Sequence, residues 1–291
     1  MATPTATNKK ASKPASAKLD FATVAGILIA LAGIVGGLIL EKGDIADIAQ
    51  STAALIVLGG TCGAVLVTTP MPVALRALRS LRAIFFEERG GAAEIVAKLI
   101  YFSGEARKNG IVSLEQAAAA ISDPFLRKAM SLAVDGADLQ DLRRMMEVDI
   151  GIMEQNGEAE ARVWEAAGGY APTIGIIGAV LGLIQVMKHL EDIREVGHGI
   201  AVAFVATVYG VGSANLFFLP IAAKLRARLR DAMLVREMVL EGVSGIAQGM
   251  NPTLIRIKLE SFVPPVVEPK KAKAATANAS AAASNRSQEA A

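Results

Sequence analysis

Four stretches of the chain contain no Asp, Glu, Lys, Arg or His: Phe21 to Leu40, Ser51 to Thr69, Ala166 to Met187 and Gly199 to Ala223, each 19 to 25 residues long. A helix rises about 1.5 Å per residue and a hydrocarbon core is about 30 Å thick, so roughly 20 residues cross it. One charge at the centre of such a helix costs about 2.5 to 3.5 kcal/mol, which makes charge-free runs of this length strong span signals. With 53% hydrophobic and 20% charged residues and a mean hydropathy of +0.43, the 291-residue chain reads as a polytopic helical membrane protein and not as a soluble enzyme.

The lysines and arginines orient the spans. The N-terminal tail, first short loop, long loop, second short loop and C-terminal segment hold 4, 1, 12, 2 and 11 of them. Basic residues favour the cytoplasmic side, so both tails and the long loop are expected in the cytoplasm. Arg76, Arg79 and Arg82 follow span 2, and Lys224, Arg226, Arg228 and Arg230 follow span 4, where they are expected to meet anionic headgroups. A net charge of +2 gives no case for nucleic acid. The one cysteine, Cys62, lies inside span 2 and provides no disulfide framework. No cleaved signal peptide is expected, because the first run is too long for an h-region and continues into Glu41-Lys42-Gly43-Asp44.

The expected organisation is all-α: a disordered tail (1–18), spans 1 and 2 (19–69), a large helical cytoplasmic domain (70–164), spans 3 and 4 (165–223), a cytoplasmic helix (224–264) and a disordered tail (265–291). The long loop is helical because its apolar residues recur at 3.6-residue spacing, as in Leu139, Leu142, Met145, Met146, Ile150 and Met153. The helix begun at Leu139 is expected to run into span 3. Gly110 ends a helix, Ser113-Leu114-Glu115-Gln116 has the form of a capping box, and Asp123-Pro124 supplies an N-cap followed by proline. Trp164 is placed as a membrane-interface anchor.

A protein that moves ions through its own helices places an ionisable group at membrane depth. These spans hold none. Their polar inventory is Thr61, Thr68, Tyr170, Thr173, Gln185, Thr207, Tyr209, Ser213 and Asn215. If the chain conducts ions, the titrating carboxylate belongs to another chain. Pairs such as Gly33/Gly37, Gly59/Gly63, Gly178/Gly182, Ala206/Gly210 and Gly210/Ala214 permit close helix packing and favour an oligomer. Pro172 and Pro220 each remove a backbone donor inside a span and press on the carbonyls of Gly168 and Leu216. No nucleophile–base pair, cofactor loop or metal-ligand spacing is present: His189 and His198, with Glu191, Asp192 and Glu195, match no helical ligand motif.

The segments Ala171-Pro172-Thr173-Ile174-Gly175-Ile176-Ile177-Gly178-Ala179-Val180-Leu181-Gly182-Leu183, Ala206-Thr207-Val208-Tyr209-Gly210 and Leu219-Pro220-Ile221-Ala222-Ala223-Lys224-Leu225 resemble spans 3 and 4 of the MotA/PomA family of flagellar stator proteins. Glu105 to Glu115 and the four-span order extend the resemblance over roughly residues 20 to 262. It implies a ring of five chains around two copies of a single-span partner, MotB or PomB, whose aspartate binds the ion and whose passage of ions turns the ring. Residue by residue, it implies that Pro172 and Pro220 couple ion flow to shape. It likewise implies that Thr173, Ala179, Thr207 and Tyr209 lie along the ion path, and that Arg107, Lys108 and Glu115 engage the rotor protein FliG. Sodium-driven members carry threonine where Ala179 stands, so protons are expected; a methyl offers a dehydrated cation no oxygen ligand.

Arg107 and Glu115 also read without the family, as opposite charges flanking a glycine turn and offering a two-signed patch to a complementary surface. The competing function is an ExbB/TolQ-like unit energising outer-membrane transport or envelope maintenance, which is expected to have three spans with the large loop after the first. A passive oligomeric scaffold is the third reading.

Overall fold

The structure, a computed structural model, describes residues 18–87 and 91–262. Both tails expected to be disordered lie outside the described residues, apart from Lys18. Strand β1 (Lys18–Leu19) leads into α1 (Phe21–Leu40), which is span 1. A short helix, Ile45–Ile48, precedes α2 (Ser51–Thr68), which is span 2, and α3 (Met71–Phe85) follows it directly. Strand β2 (Phe86–Glu87) then pairs antiparallel with β1, Leu19 opposite Phe86. This two-residue pairing was not anticipated from the sequence, which shows no period-two run there.

Helices α4 (Gly91–Asn109) and α5 (Pro124–Val134) begin the large helical domain. Helix α6 (Leu139–Lys188) runs without interruption from that domain through span 3, as its apolar pattern predicts. Helix α7 (Ile193–Ala247) carries span 4 and returns to the same domain, and α8 (Pro252–Glu260) closes it. The two long helices thus run unbroken from the spans into the large helical domain.

Local chemistry sets the helix ends. Asp123 caps α5, its Oδ1 accepting from Leu126 N at 2.7 Å, and Pro124 follows at the start. Gly110 has φ +82° and ψ 156°, a region essentially reserved for glycine, and it separates α4 from a 3₁₀ turn, Ile111–Leu114. The expected capping box is not formed: the Ser113 hydroxyl donates to the Gly110 carbonyl at 2.6 Å and so closes the tight 3₁₀ turn.

The core of the large helical domain gathers Leu99, Leu114, Leu126, Met130, Leu142, Met146, Met238 and Leu259 from α4 to α8. In the membrane layer the spans bury less. Span 1 buries none of its side chains within the chain, and Gly33 and Gly37 face no neighbouring atom.

Candidate ion-coupling site and cytoplasmic docking face

Spans 3 and 4 pack backbone against backbone. A Cβ at Gly175 would lie 2.9 Å from the Ala206 carbonyl, one at Gly210 2.6 Å from the Ala171 carbonyl, and one at Gly182 2.8 Å from both Ala203 N and the Gly199 carbonyl. Glycine on α6 opposite glycine or alanine on α7 is what permits this approach, and in lipid, where apolar surface gives helices no drive to associate, such packing supplies the adhesion. The small-residue pairs therefore sort themselves. Gly178/Gly182 and Ala206/Gly210 serve packing inside the chain, whereas Gly33/Gly37 and Gly63 face open space.

Pro172 lies in this seam, whereas Pro220 is exposed. A Cβ on Gly210 would come 3.3 Å from Pro172 Cα. Pro172 cannot donate to Gly168, and a Cβ on Gly168 would come 2.6 Å from the Leu219 side chain, immediately before Pro220. Ahead of Pro220, α7 widens into a π turn, Ala214–Phe218. That local expansion accommodates the proline ring and the carbonyl it would otherwise strike. A second π turn, Leu55–Gly59, lies in span 2 where no proline explains it.

Most of the polar side chains named in the spans are spent on backbone. Thr173 donates to the Tyr170 carbonyl at 2.8 Å, Thr207 to Ala203 at 3.2 Å and Ser213 to Gly210 at 3.2 Å. The Asn215 amide donates to Val211 at 2.9 Å, and Thr61 to Val57 at 2.6 Å. The exception that crosses between elements is Tyr209, whose hydroxyl donates to the Ile48 carbonyl at 2.5 Å. Pro172, Gly175, Thr207 and Gly210 are thus brought together. Thr173 is exposed, Ala179 is half-buried a turn further along, and Tyr209 turns to span 2, packing with Ala53, Val57, Val205 and Ala206. No polar network runs between the spans among the described residues.

At the charged end of the spans, the basic clusters expected to meet headgroups are largely turned inward. Lys224 binds Asp20 at 2.6 Å and Arg228 binds the same carboxylate at 3.2 Å. Arg226 bridges Glu158 and Glu165 of α6 at 2.9 and 2.5 Å, and Arg76 reaches Glu160 at 3.6 Å. Lys224 and Arg228 beside it hold the Asp20 carboxyl far below the ordinary carboxylate range, against the opposing effect of burial. Asp20 also caps α1 through Thr23 N at 3.3 Å, and its own N–H donates to the Phe85 carbonyl at 2.9 Å. Trp164, expected at the membrane interface, is half-buried: its indole N–H donates to the Ala77 carbonyl at 3.1 Å and its ring lies 6.2 Å from that of Phe218.

Arg107 and Lys108 occupy the last turn of α4, and Glu115 begins the short helix after the 3₁₀ turn. All three are exposed and have no ion-pair partner among the described residues. They form a two-signed edge around Gly110, held by the core beneath Leu114 and Leu99. The sequence did not point to Asp20 as a site, although a carboxylate directly before an apolar run is an N-cap signal. Nor did it reveal the Gly168–Leu219 contact, which depends on how two distant helices meet.

The described residues thus form four spans, a large helical domain and a glycine seam between spans 3 and 4. Residues 24–109 match the family profile "Motility protein A N-terminal" and residues 117–238 match "MotA/TolQ/ExbB proton channel family". The chain is 34% identical to Motility protein A of Helicobacter pylori, covering 87% of this chain and 98% of that protein. It is 30% identical to Chemotaxis protein PomA of Vibrio alginolyticus, covering 84% and 96%. Among solved structures, that of C. jejuni MotAB superposes with a TM-score of 0.81 at 31% identity over 86% of this chain and 98% of that one; the flagellar MotAB stator complex from Bacillus subtilis gives 0.77, again at 31%, over 84% and 96%. The chain belongs to the motility protein A family of flagellar stator subunits. The second profile is shared with TolQ and ExbB, but the first, together with four spans and the loop after the second, favours the stator over the transport unit.

Proposed function

We propose that this chain forms the torque-generating ring of a flagellar stator, assembled around a single-span MotB-like partner that supplies the ion-binding aspartate. The observation carrying this reading is chemical: the four spans hold no Asp, Glu, Lys, Arg or His, and the hydroxyls of Thr173, Thr207 and Tyr209 are bonded to backbone carbonyls. Such a layer shapes a path but does not itself bind and release a proton. The relatives solved as MotAB complexes support the partner and the oligomer, with five chains around two partners as the arrangement the family resemblance implies. Both tails and the large domain face the cytoplasm, consistent with the distribution of basic residues.

In this mechanism a proton reaches the partner's aspartate along a path bounded by Thr173, Ala179, Thr207 and Tyr209. Neutralising that carboxylate changes which face of the ring it prefers. Pro172 and Pro220 let α6 and α7 bend at this level, and because both helices continue into the cytoplasmic domain the bend moves that domain. Arg107, Lys108 and Glu115 pass the movement to the rotor protein FliG. Each charge crossing 100 mV releases about 2.3 kcal/mol, enough to drive such a step. The test is motility in a strain lacking the chain: swimming restored by the wild type, stopped by a protonophore and indifferent to sodium supports the reading. Swimming that survives the protonophore and stops on sodium removal contradicts proton coupling, and no dependence on the chain contradicts the stator role.

A further inference from the structure

Helix α3 carries two apolar stripes. Val73, Ala77, Leu81 and Ile84 point one way and pack into the chain, against Val65, Val163, Ala167 and Leu225. At 100° per residue, Met71, Leu75, Leu78 and Phe85 lie on the opposite side, and all are exposed, Met71 by 57%, Leu75 by 47% and Leu78 by 59%. Arg82 falls within this outer stripe and Arg79 beside it; both are exposed and neither has an ion-pair partner among the described residues, whereas Arg76 is engaged with Glu160 and Asn156. The helix contains no acid between Met71 and Phe85. It sits at the level where spans 2 and 3 end, since Val65, Val73, Ala77, Val163 and Ala167 share one cluster.

We propose that the outer face of α3 is a binding site for anionic phospholipid, with Met71, Leu75, Leu78 and Phe85 in the acyl boundary and Arg79 and Arg82 on headgroup phosphates. An amphipathic helix with cations on its flank is the form that interfacial helices take, and arginine stems extend over apolar surface while the guanidinium reaches the phosphate layer. A second copy of the chain fits this face poorly, because it would have to bring carboxylates to two guanidinium groups. Four acids of this layer, Asp20, Glu158, Glu160 and Glu165, are already bound to cations of their own chain. The inference does not depend on the torque-generating reading.

The test uses the chain's single tryptophan. Leu78→Trp in a Trp164→Phe background places the one indole on the outer stripe of the full-length protein in lipid bilayers. Brominated phosphatidylglycerol should quench it more strongly than brominated phosphatidylcholine at equal mole fraction, with a selectivity of about fivefold for each arginine. Adding Arg79→Gln and Arg82→Gln should bring that selectivity to about one, and high salt should reduce it. Leu75→Trp repeats the measurement one turn away, with helix content by circular dichroism confirming that each variant is folded. Equal quenching by the two lipids would overturn recognition of charge. Quenching by neither lipid at both positions would mean that protein covers the stripe, which overturns the proposal as well.

Discussion

The carboxylate of Asp20 and the ammonium of Lys224 lie 2.6 Å apart, joining the first turn of span 1 to the helix that emerges from span 4. Span 1 otherwise buries none of its side chains in the chain, so this pair, with Arg228, is its principal polar attachment. Replacing Asp20 by Asn leaves two cations without their shared anion. Loss of one partner of a half-buried charged pair costs about 1 to 3 kcal/mol, so Asp20→Asn should lower the midpoint of thermal unfolding in detergent by several degrees and loosen span 1 to protease before the cytoplasmic core. An unchanged midpoint would show the pair to be incidental.

The glycine seam gives a sharper contrast. A methyl at Gly210 meets the Ala171 carbonyl and Gly175 Cα, both backbone, so α6 and α7 must separate. Gly210→Ala should abolish motility and reduce the amount of folded protein, at a cost of about 1 to 3 kcal/mol from overpacking. Gly212→Ala, two residues on and facing open space, should leave folding intact and stabilise the helix by about 1 kcal/mol. Equal behaviour of the two variants would contradict the seam.

Pro172 separates coupling from stability. Alanine there restores the bond to the Gly168 carbonyl, so Pro172→Ala should be at least as stable as the wild type while swimming is lost at normal protein levels. The measurements are halo diameter on soft agar, immunoblot of membranes and thermal unfolding. Normal swimming would place the coupling elsewhere.

The charges at the docking face should behave in the opposite way from the clamp at Asp20. Arg107, Lys108 and Glu115 are exposed and have no ion-pair partner among the described residues, so Arg107→Glu or Glu115→Arg should change stability by less than about 0.5 kcal/mol. Each exposed contact contributes about 0 to 1 kcal/mol to docking, so single reversals should weaken swimming and double reversals should abolish it. A stability loss in either variant would identify the residue as structural.

Glu241 sets a pH window. The Arg143 guanidinium, at 2.8 Å, and Lys258 hold its carboxyl below the ordinary value, against burial. A depressed carboxyl stabilises the fold fully above its unfolded pKa, about 4.3, and the stabilisation is lost as pH falls through the folded value. Unfolding of the cytoplasmic domain should therefore be flat from pH 7 to about 5 and fall below about 4. Glu241→Gln should be less stable at pH 7 and less sensitive to acid. A wild-type midpoint that falls already between pH 7 and 6 would assign the dependence to another group.

The parts of the fold that were legible in the sequence are those set by nearest neighbours or by periodicity. Charge-free runs mark the spans, Asp123-Pro124 marks the start of α5, Gly110 marks a helix end, and the apolar period carries α6 unbroken into span 3. What escaped depends on distant partners. Arg226 reads as a headgroup ligand until Glu158 and Glu165, seven residues apart on one face of α6, are brought beside it. Ser113 reads as a cap until Gly110, with its positive φ, offers a nearer carbonyl. The π turn before Pro220 has a local cause that proline announces; the one at Leu55–Gly59 has no such cause in its own residues. At the candidate site, the sequence did not show that Tyr209 turns to Ile48 or that Leu219 lies against Gly168.

The account rests on the absence of an acid within the membrane layer, and one measurement addresses it directly: proton flux into liposomes containing this chain alone, and then with a single-span partner whose aspartate is intact or replaced by asparagine. Flux only with the intact aspartate is the result expected. Selective proton flux through the chain alone, or undiminished flux with asparagine in the partner, would contradict it.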